Sequence, residues 1–226
     1  MNVIENTDSG MAHGKVGADI PITPQEKFVN CVYSSLDEAI ACGLDQLRSG
    51  DGIIPTCACG CSHCCRNHIV TNVAEAHALA QYIKREFSIG QISSLRIRTK
   101  QWHEWNDYRP GSYPSANIRE QTDLSSYDHC CPLLVNGTCS AYPVRPVVCR
   151  THFVCSDPQS CRRAVNDPGY TKNPPAKITS VVTAARPFAK AISDHIEATG
   201  VDSCRTMMLL PHSLAIEMGW DFAKAR

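Results

Sequence analysis

Eleven of the fourteen cysteines of this 226-residue chain fall between Cys57 and Cys161, five of them ending at Cys65 and six starting at Cys130. Chance would scatter them, so this grouping favours folds that bring two distant loops together. The chain does not need disulfide staples, because 226 residues that are 43% hydrophobic can bury a sizeable core unaided. Adjacent Cys64 and Cys65 also argue against a disulfide loop, since a vicinal bond would be strained. The remaining use for so many thiols is as thiolates on metal.

The start, MNVIENTDSG, has neither a basic nor an apolar stretch, and nowhere do eighteen apolar residues run together. The expectation is a cytoplasmic location, where a reducing environment keeps thiols free. Lys plus Arg equals Asp plus Glu at 22 each, so there is no basic footprint for a polyanion. Neither a nucleic-acid nor a membrane partner is expected. A protein or small-molecule partner stays open.

Residues 1–20 are polar and aperiodic and read as a mobile tail, leaving 21–226 as a single cysteine-cluster domain with C-terminal helices. Thr23, Pro24 and Glu26 predict a capping box, followed by an apolar stripe of Phe28, Val32, Leu36, Ile40, Leu44 and Leu47. Asn72 with Glu75 predicts a second helix start, running through Leu79 and Ile83 to an end near Gly90. Ile92, Leu95, Thr99 and Trp102 mark a third helix, after which Pro110, Gly111 and Pro114 break any regular element.

Asn136-Gly137 predicts a two-residue hairpin turn that folds Cys139 back toward Cys131. Pro143 and Pro146 favour a short helical turn carrying Cys149 and Arg150, and Asp157-Pro158 starts a turn before Cys161. After a Pro- and Gly-rich stretch from Pro168 to Pro175, helices are predicted from Ile178 to about Thr199, kinked at Pro187, and from Ser213 to about Lys224. The fold class is therefore mostly α: helices around a cysteine-rich metal-binding loop region with one short β-hairpin.

Cys61-Ser-His-Cys64-Cys65 with Cys57 upstream, Cys131-Pro132, Gly137-Thr138-Cys139, Tyr142 and Arg145-Pro146-Val147-Val148-Cys149-Arg150 occur in order. Over residues 57 to 155 this resembles the CxxCxxCC family, also called YkgJ-type, described as zinc- or iron-chelating and including relatives of flagellin lysine methylase. The chain departs from the family at Ala58, where the motif would have cysteine, and has Cys57 and Cys59 on either side. Cys57 is preferred as first ligand because the Gly60 loop can absorb one residue, with Cys59 as substitute.

The ligand set is Cys61, Cys64, Cys65, Cys131, Cys139 and Cys149, then Cys57 and Cys155. Such a number exceeds one tetrahedral zinc, so either two metal sites exist or a 4Fe–4S cluster takes four thiolates. An iron–sulfur cluster is the first choice of cofactor, with zinc or iron ions as the alternative. His63, His129 and His152 flank the blocks and are ranked below the thiols, while Arg145 and Arg150 are candidates to offset thiolate charge. Cys31, Cys42 and Cys204 read as small buried hydrophobes outside the site.

Three functions compete on these residues. The first is an iron–sulfur or iron-dependent oxidoreductase, in which Cys59, Cys130 or Cys161 is a reactive thiol. The second is a structural zinc module that presents a surface to a partner. The third rests on Cys57-x3-Cys61-x2-Cys64, the spacing of radical S-adenosylmethionine enzymes, which would require repeated strand-helix units after the motif.

Overall fold

The computed structural model describes residues 20–58, 60–108, 130–166 and 174–223. Residues 1–19 of the tail expected over 1–20, the breakers at Pro110, Gly111 and Pro114, and most of the stretch from Pro168 lie outside the described residues, as do Cys59 and His129. The described residues are mostly helical, as the periodicity predicts.

Helix α1 (Pro24–Gly50) starts where Thr23 caps it, the hydroxyl accepting from the Glu26 N–H at 3.1 Å. The predicted box is not closed. Glu26 is fully buried and held instead by the Arg85 guanidinium, with Nη2 to Oε1 at 2.6 Å and Nη1 to Oε2 at 3.2 Å. An ion pair across two helices has won over a local cap, because a buried carboxylate needs a charged partner more than an exposed N–H needs an acceptor. Leu36 and Ile40 of the predicted stripe are buried together with Val29 and Tyr33.

Strand β1 (Val70–Thr71) leads into α2 (Val73–Glu86), whose Asn72 cap accepts from the Glu75 N–H at 2.9 Å. This helix ends at Glu86, before the predicted Gly90, because Phe87 turns extended and is buried in the core. Gly90 lies instead in the first turn of α3 (Ile89–Tyr108), where Leu95, Thr99 and Trp102 are buried.

Strands β2 (Leu134–Val135) and β3 (Thr138–Cys139) pair antiparallel with Leu134 opposite Cys139. Asn136 at φ 50 and Gly137 at φ 76 make the predicted left-handed two-residue turn. The short helix α4 (Val147–Arg150) carries Cys149 as expected. Asp157-Pro158 opens a full helix, α5 (Pro158–Asn166), not an isolated turn, and Cys161 rides on it.

Helices α6 (Thr179–Ala184) and α7 (Arg186–Glu197) are separated at Ala185, ahead of Pro187, and Gly200 at φ 82 follows the second. Strand β4 (Met208–Leu209) pairs antiparallel with β1, which two-residue segments are too short to announce by alternation. Helix α8 (Leu210–Glu217) begins before the predicted Ser213, with Pro211 in its first turn, and ends well before Lys224 at a turn through Gly219, φ 69.

The main apolar core joins α2, α3 and α8 through Leu79, Ile83, Leu95, Leu210 and Leu214, and Cys131 and Cys139 pack on its edge. A second cluster joins Val29 and Tyr33 of α1 to Ile192 and Ile196 of α7. The cysteine loops are therefore seated on a helical platform. The strand pairs are two residues long, and repeated strand-helix units do not occur among the described residues. No described helix is long and apolar enough to cross a membrane.

Candidate metal centre

The first cysteine block is tied by its backbone to the far end of the second. Thr56 donates its N–H to the Val154 carbonyl at 2.9 Å, and the Val154 N–H donates to the Cys57 sulfur at 3.4 Å. Gly60 turns the loop at φ 86, a left-handed conformation that disfavours side chains. A Cβ placed on Gly137 would meet the Gly60 carbonyl at 4.0 Å, so the hairpin tip rests against this loop. Cys64 and Cys65 lie on a 3-10 turn, His63–Arg66, and the Cys65 carbonyl accepts from the Cys131 N–H at 2.7 Å.

Convergence of the two stretches puts their sulfurs near one another. The Cys64 and Cys65 thiols are hydrogen-bonded to each other. Cys131 lies within electrostatic reach of Cys139, Cys130 and Cys64, and Cys149 within reach of Cys131, Cys139 and Cys64. Cys57 reaches Cys61 and Cys64. Cys161 stands outside the ligand set expected from sequence, yet α5 packs on the His63–Arg66 turn and brings it within reach of Cys57, Cys61 and Cys64. The signal that could have found it is Asp157-Pro158 as a helix start, which carries Cys161 one turn inward.

Cys155, by contrast, is exposed, with its thiol on the Ala176 carbonyl at 3.5 Å. Cys31, Cys42 and Cys204 are exposed too, not buried as expected. At Cys31 and Cys42 the helical stripe simply leaves the side chain on the solvent face of α1. The thirteen cysteines among the described residues are all free thiols.

Burial sets the acidity of the gathered thiols. It pushes Cys131 up to about 12 and raises Cys149, Cys139, Cys57 and Cys161. Backbone donors oppose it: Leu133 toward Cys131, Ala141 toward Cys139 and Val154 toward Cys57. The hydrogen bond from Cys65 lowers Cys64 to about 7, against burial and with help from Arg145, and raises Cys65 in turn.

The two arginines divide their tasks otherwise than the sequence suggested. Arg150, 3% exposed, does not face sulfur. It pairs with Asp37, donates Nη2 to the Pro143 carbonyl and Nε to the Arg145 carbonyl at 2.8 Å, and stacks 4.1 Å above the Tyr33 ring. Arg145 is the cation beside Cys64, Cys139 and Cys149; its guanidinium lies 3.9 Å over the Tyr142 ring and its buried Nε lacks a hydrogen-bond partner. Trp102 is buried against His68 and His103. His152 is half-buried and held less basic by burial and by Lys177.

Among the described residues no group of three or more Cys, His, Asp or Glu side chains is already gathered tightly enough to hold a metal ion. The donor chemistry fits thiophilic metal: many thiols, backbone N–H groups aimed at three of their sulfurs, and Arg145 to offset negative charge. Closing a shell would take turning the thiols inward and exchanging their protons, including the one shared by Cys64 and Cys65, for metal. Comparison with protein-family models finds none that matches the chain, and comparisons with curated proteins and with solved structures find no match either.

Proposed function

We propose that the chain is a metal-binding protein whose thiols from both blocks hold an iron–sulfur cluster, 4Fe–4S, with zinc as the alternative. One observation carries this reading: Cys64 has Cys57, Cys65, Cys131, Cys139, Cys149 and Cys161 in reach, drawn from separate segments of the chain. A thiol set larger than one tetrahedral zinc needs favours a cluster or more than one metal. The resemblance of residues 57 to 155 to the CxxCxxCC family points the same way, and a reducing, cytoplasmic location would keep the thiols available.

When bound, a cluster of this kind supplies electron transfer or an iron site for catalysis. The chain's own residues would hold and tune it. The Val154 N–H on the Cys57 sulfur, the backbone of Leu133 and Ala141 beside Cys131 and Cys139, and the Arg145 cation would each favour the more reduced state of a cluster held there. An iron-dependent oxidoreductase is the function class these features support.

The test is anaerobic purification of the full chain followed by metal and sulfide analysis and a visible spectrum. Iron with sulfide and a visible band that bleaches on reduction is expected. Colourless protein carrying zinc alone selects the structural zinc module, and protein without metal overturns the proposal. Cys64→Ser and Cys149→Ser should each lower metal content and folded yield together, because site formation is coupled to folding.

A further inference from the structure

Away from the cysteine blocks, His77 and Lys84 stand two turns apart on one face of α2, and both reach Glu217, the last residue of α8. Lys84 donates Nζ to the Glu217 carbonyl at 3.0 Å, and His77 Nδ1 lies 3.1 Å from the Glu217 carboxylate Oε2. The other ring nitrogen, Nε2, lies 3.1 Å from the Thr23 hydroxyl at the start of α1. A carboxylate only accepts, so Nδ1 carries the proton that faces Glu217, and Nε2 is left with the lone pair that faces Thr23. Thr23 donates its hydroxyl proton there while its oxygen accepts from the Glu26 N–H at 3.1 Å. Hydroxyl, imidazole and carboxylate thus form an unbroken relay, the order of groups that activates a nucleophile for acyl transfer.

The relay is reachable. The side chains of His77 and Glu217 are 24% and 21% exposed, and Thr23 is half-buried. The first turn of α1 adds a donor beside the hydroxyl. Pro24 has no N–H, that of Glu26 is taken by the Thr23 hydroxyl and that of Lys27 by the Thr23 carbonyl, so among the described residues the Gln25 N–H is left without an acceptor. Negative charge that develops on a carbonyl oxygen at Thr23 meets this N–H. Ile22, exposed next to Thr23, offers apolar surface to an acyl group. A helix cap alone asks for none of this: Thr23 holds the Glu26 N–H without help from His77, and capping needs no carboxylate behind the imidazole.

We infer that Thr23, His77 and Glu217 form a second centre, apart from the thiols, that hydrolyses small uncharged esters with Thr23 as nucleophile and His77 as its base. Thr23 Oγ1 attacks the ester carbonyl carbon as its proton passes to His77 Nε2, and the carbonyl π pair moves onto oxygen beside the Gln25 N–H. Return of that pair breaks the bond to the leaving alkoxide, which takes the proton from Nε2 and departs as the alcohol. Water then attacks the acyl ester on Thr23 in the same way, releasing the carboxylic acid and restoring the hydroxyl. Glu217 accepts from Nδ1 throughout and stabilises the imidazolium formed in each half.

The experiment exposes the full chain, with its thiols reduced, to a fluorophosphonate, which phosphonylates activated hydroxyls and spares thiols, and maps the adduct by mass spectrometry. Thr23 should carry it. His77→Gln should slow labelling at least about a hundredfold, the lower end of what a positioned base contributes, and Glu217→Gln should slow it less. Thr23→Ser should keep labelling. Thr23→Asn retains a capping side chain on α1 without the nucleophile, so it should show wild-type helical circular dichroism yet neither take the label nor match wild-type turnover of p-nitrophenyl acetate. No adduct on Thr23 in wild type, an undiminished rate in His77→Gln, or equal turnover by wild type and Thr23→Asn overturns the assignment and leaves the three residues as a tie between helices. Labelling should persist after treatment with a chelator; its loss there, with helical circular dichroism retained, overturns the separation from the thiol centre.

Discussion

The Glu75 carboxylate, 5% exposed on α2, accepts the backbone N–H of Val147 at 2.8 Å and so fixes the first residue of the helix that carries Cys149. It also accepts from the Tyr33 hydroxyl at 3.1 Å, Thr71 at 3.2 Å and Asn72 at 3.0 Å. A buried acceptor with this many donors is a clamp between α1, α2 and the second cysteine block. Nothing in the spacing of Asn72 and Glu75 distinguishes it from an ordinary helix cap.

Glu75→Ala should therefore cost at least about 3 kcal/mol, since it strands several buried donors at about 1–3 kcal/mol each. Burial raises the Glu75 pKa above its ordinary 4.5. A raised folded value means that the side chain's contribution to stability is complete below the unfolded value and is lost as pH climbs through the folded one. The penalty of Glu75→Gln should shrink over that rise. Urea midpoints of both proteins at several pH values check it, and a penalty that grows with pH would refute the assignment.

Arg150 and its partner Asp37 should respond unequally. Arg150→Ala leaves the Pro143 and Arg145 carbonyls without their donor and empties a buried site, a loss of about 3–5 kcal/mol. Asp37 is 51% exposed, so Asp37→Ala should cost only about 1 kcal/mol. Denaturant unfolding of the two variants separates these outcomes; equal losses would mean that the ion pair, and not the carbonyl anchoring, holds the turn.

In reduced, metal-free protein Cys64 should be the first gathered thiol to alkylate as pH rises through about 7, while Cys131, pushed up to about 12, stays slow. Because the Cys65 thiol is the main cause, Cys65→Ala should move the Cys64 midpoint up toward the ordinary 9.0. Iodoacetamide labelling against pH, read by mass spectrometry, measures both midpoints. An unmoved midpoint in Cys65→Ala would show that the thiol pair does not set the acidity of Cys64.

Much of the fold could be read from neighbours along the chain. The Thr23 and Asn72 caps, the α1 stripe, the Asn136-Gly137 turn and the break before Pro187 all depend on residues within about a turn of each other. Where prediction slipped, a distant partner had intervened: Arg85 took Glu26 from its box, and core packing of Phe87 ended α2 early. The β1–β4 pair joins segments more than a hundred residues apart and left no local trace.

By itself the sequence determined that thiols dominate, that they lie in two blocks, and that a hairpin and a proline-led turn present the second block. Tertiary structure decided which thiols meet. It brought in Cys161 and left Cys155 exposed, turned Arg150 toward Asp37 and Arg145 toward sulfur, and set Glu75 behind Val147. The reason is physical: backbone conformation answers to near neighbours, whereas a side chain's direction and charge partner answer to what packs against it from anywhere in the chain.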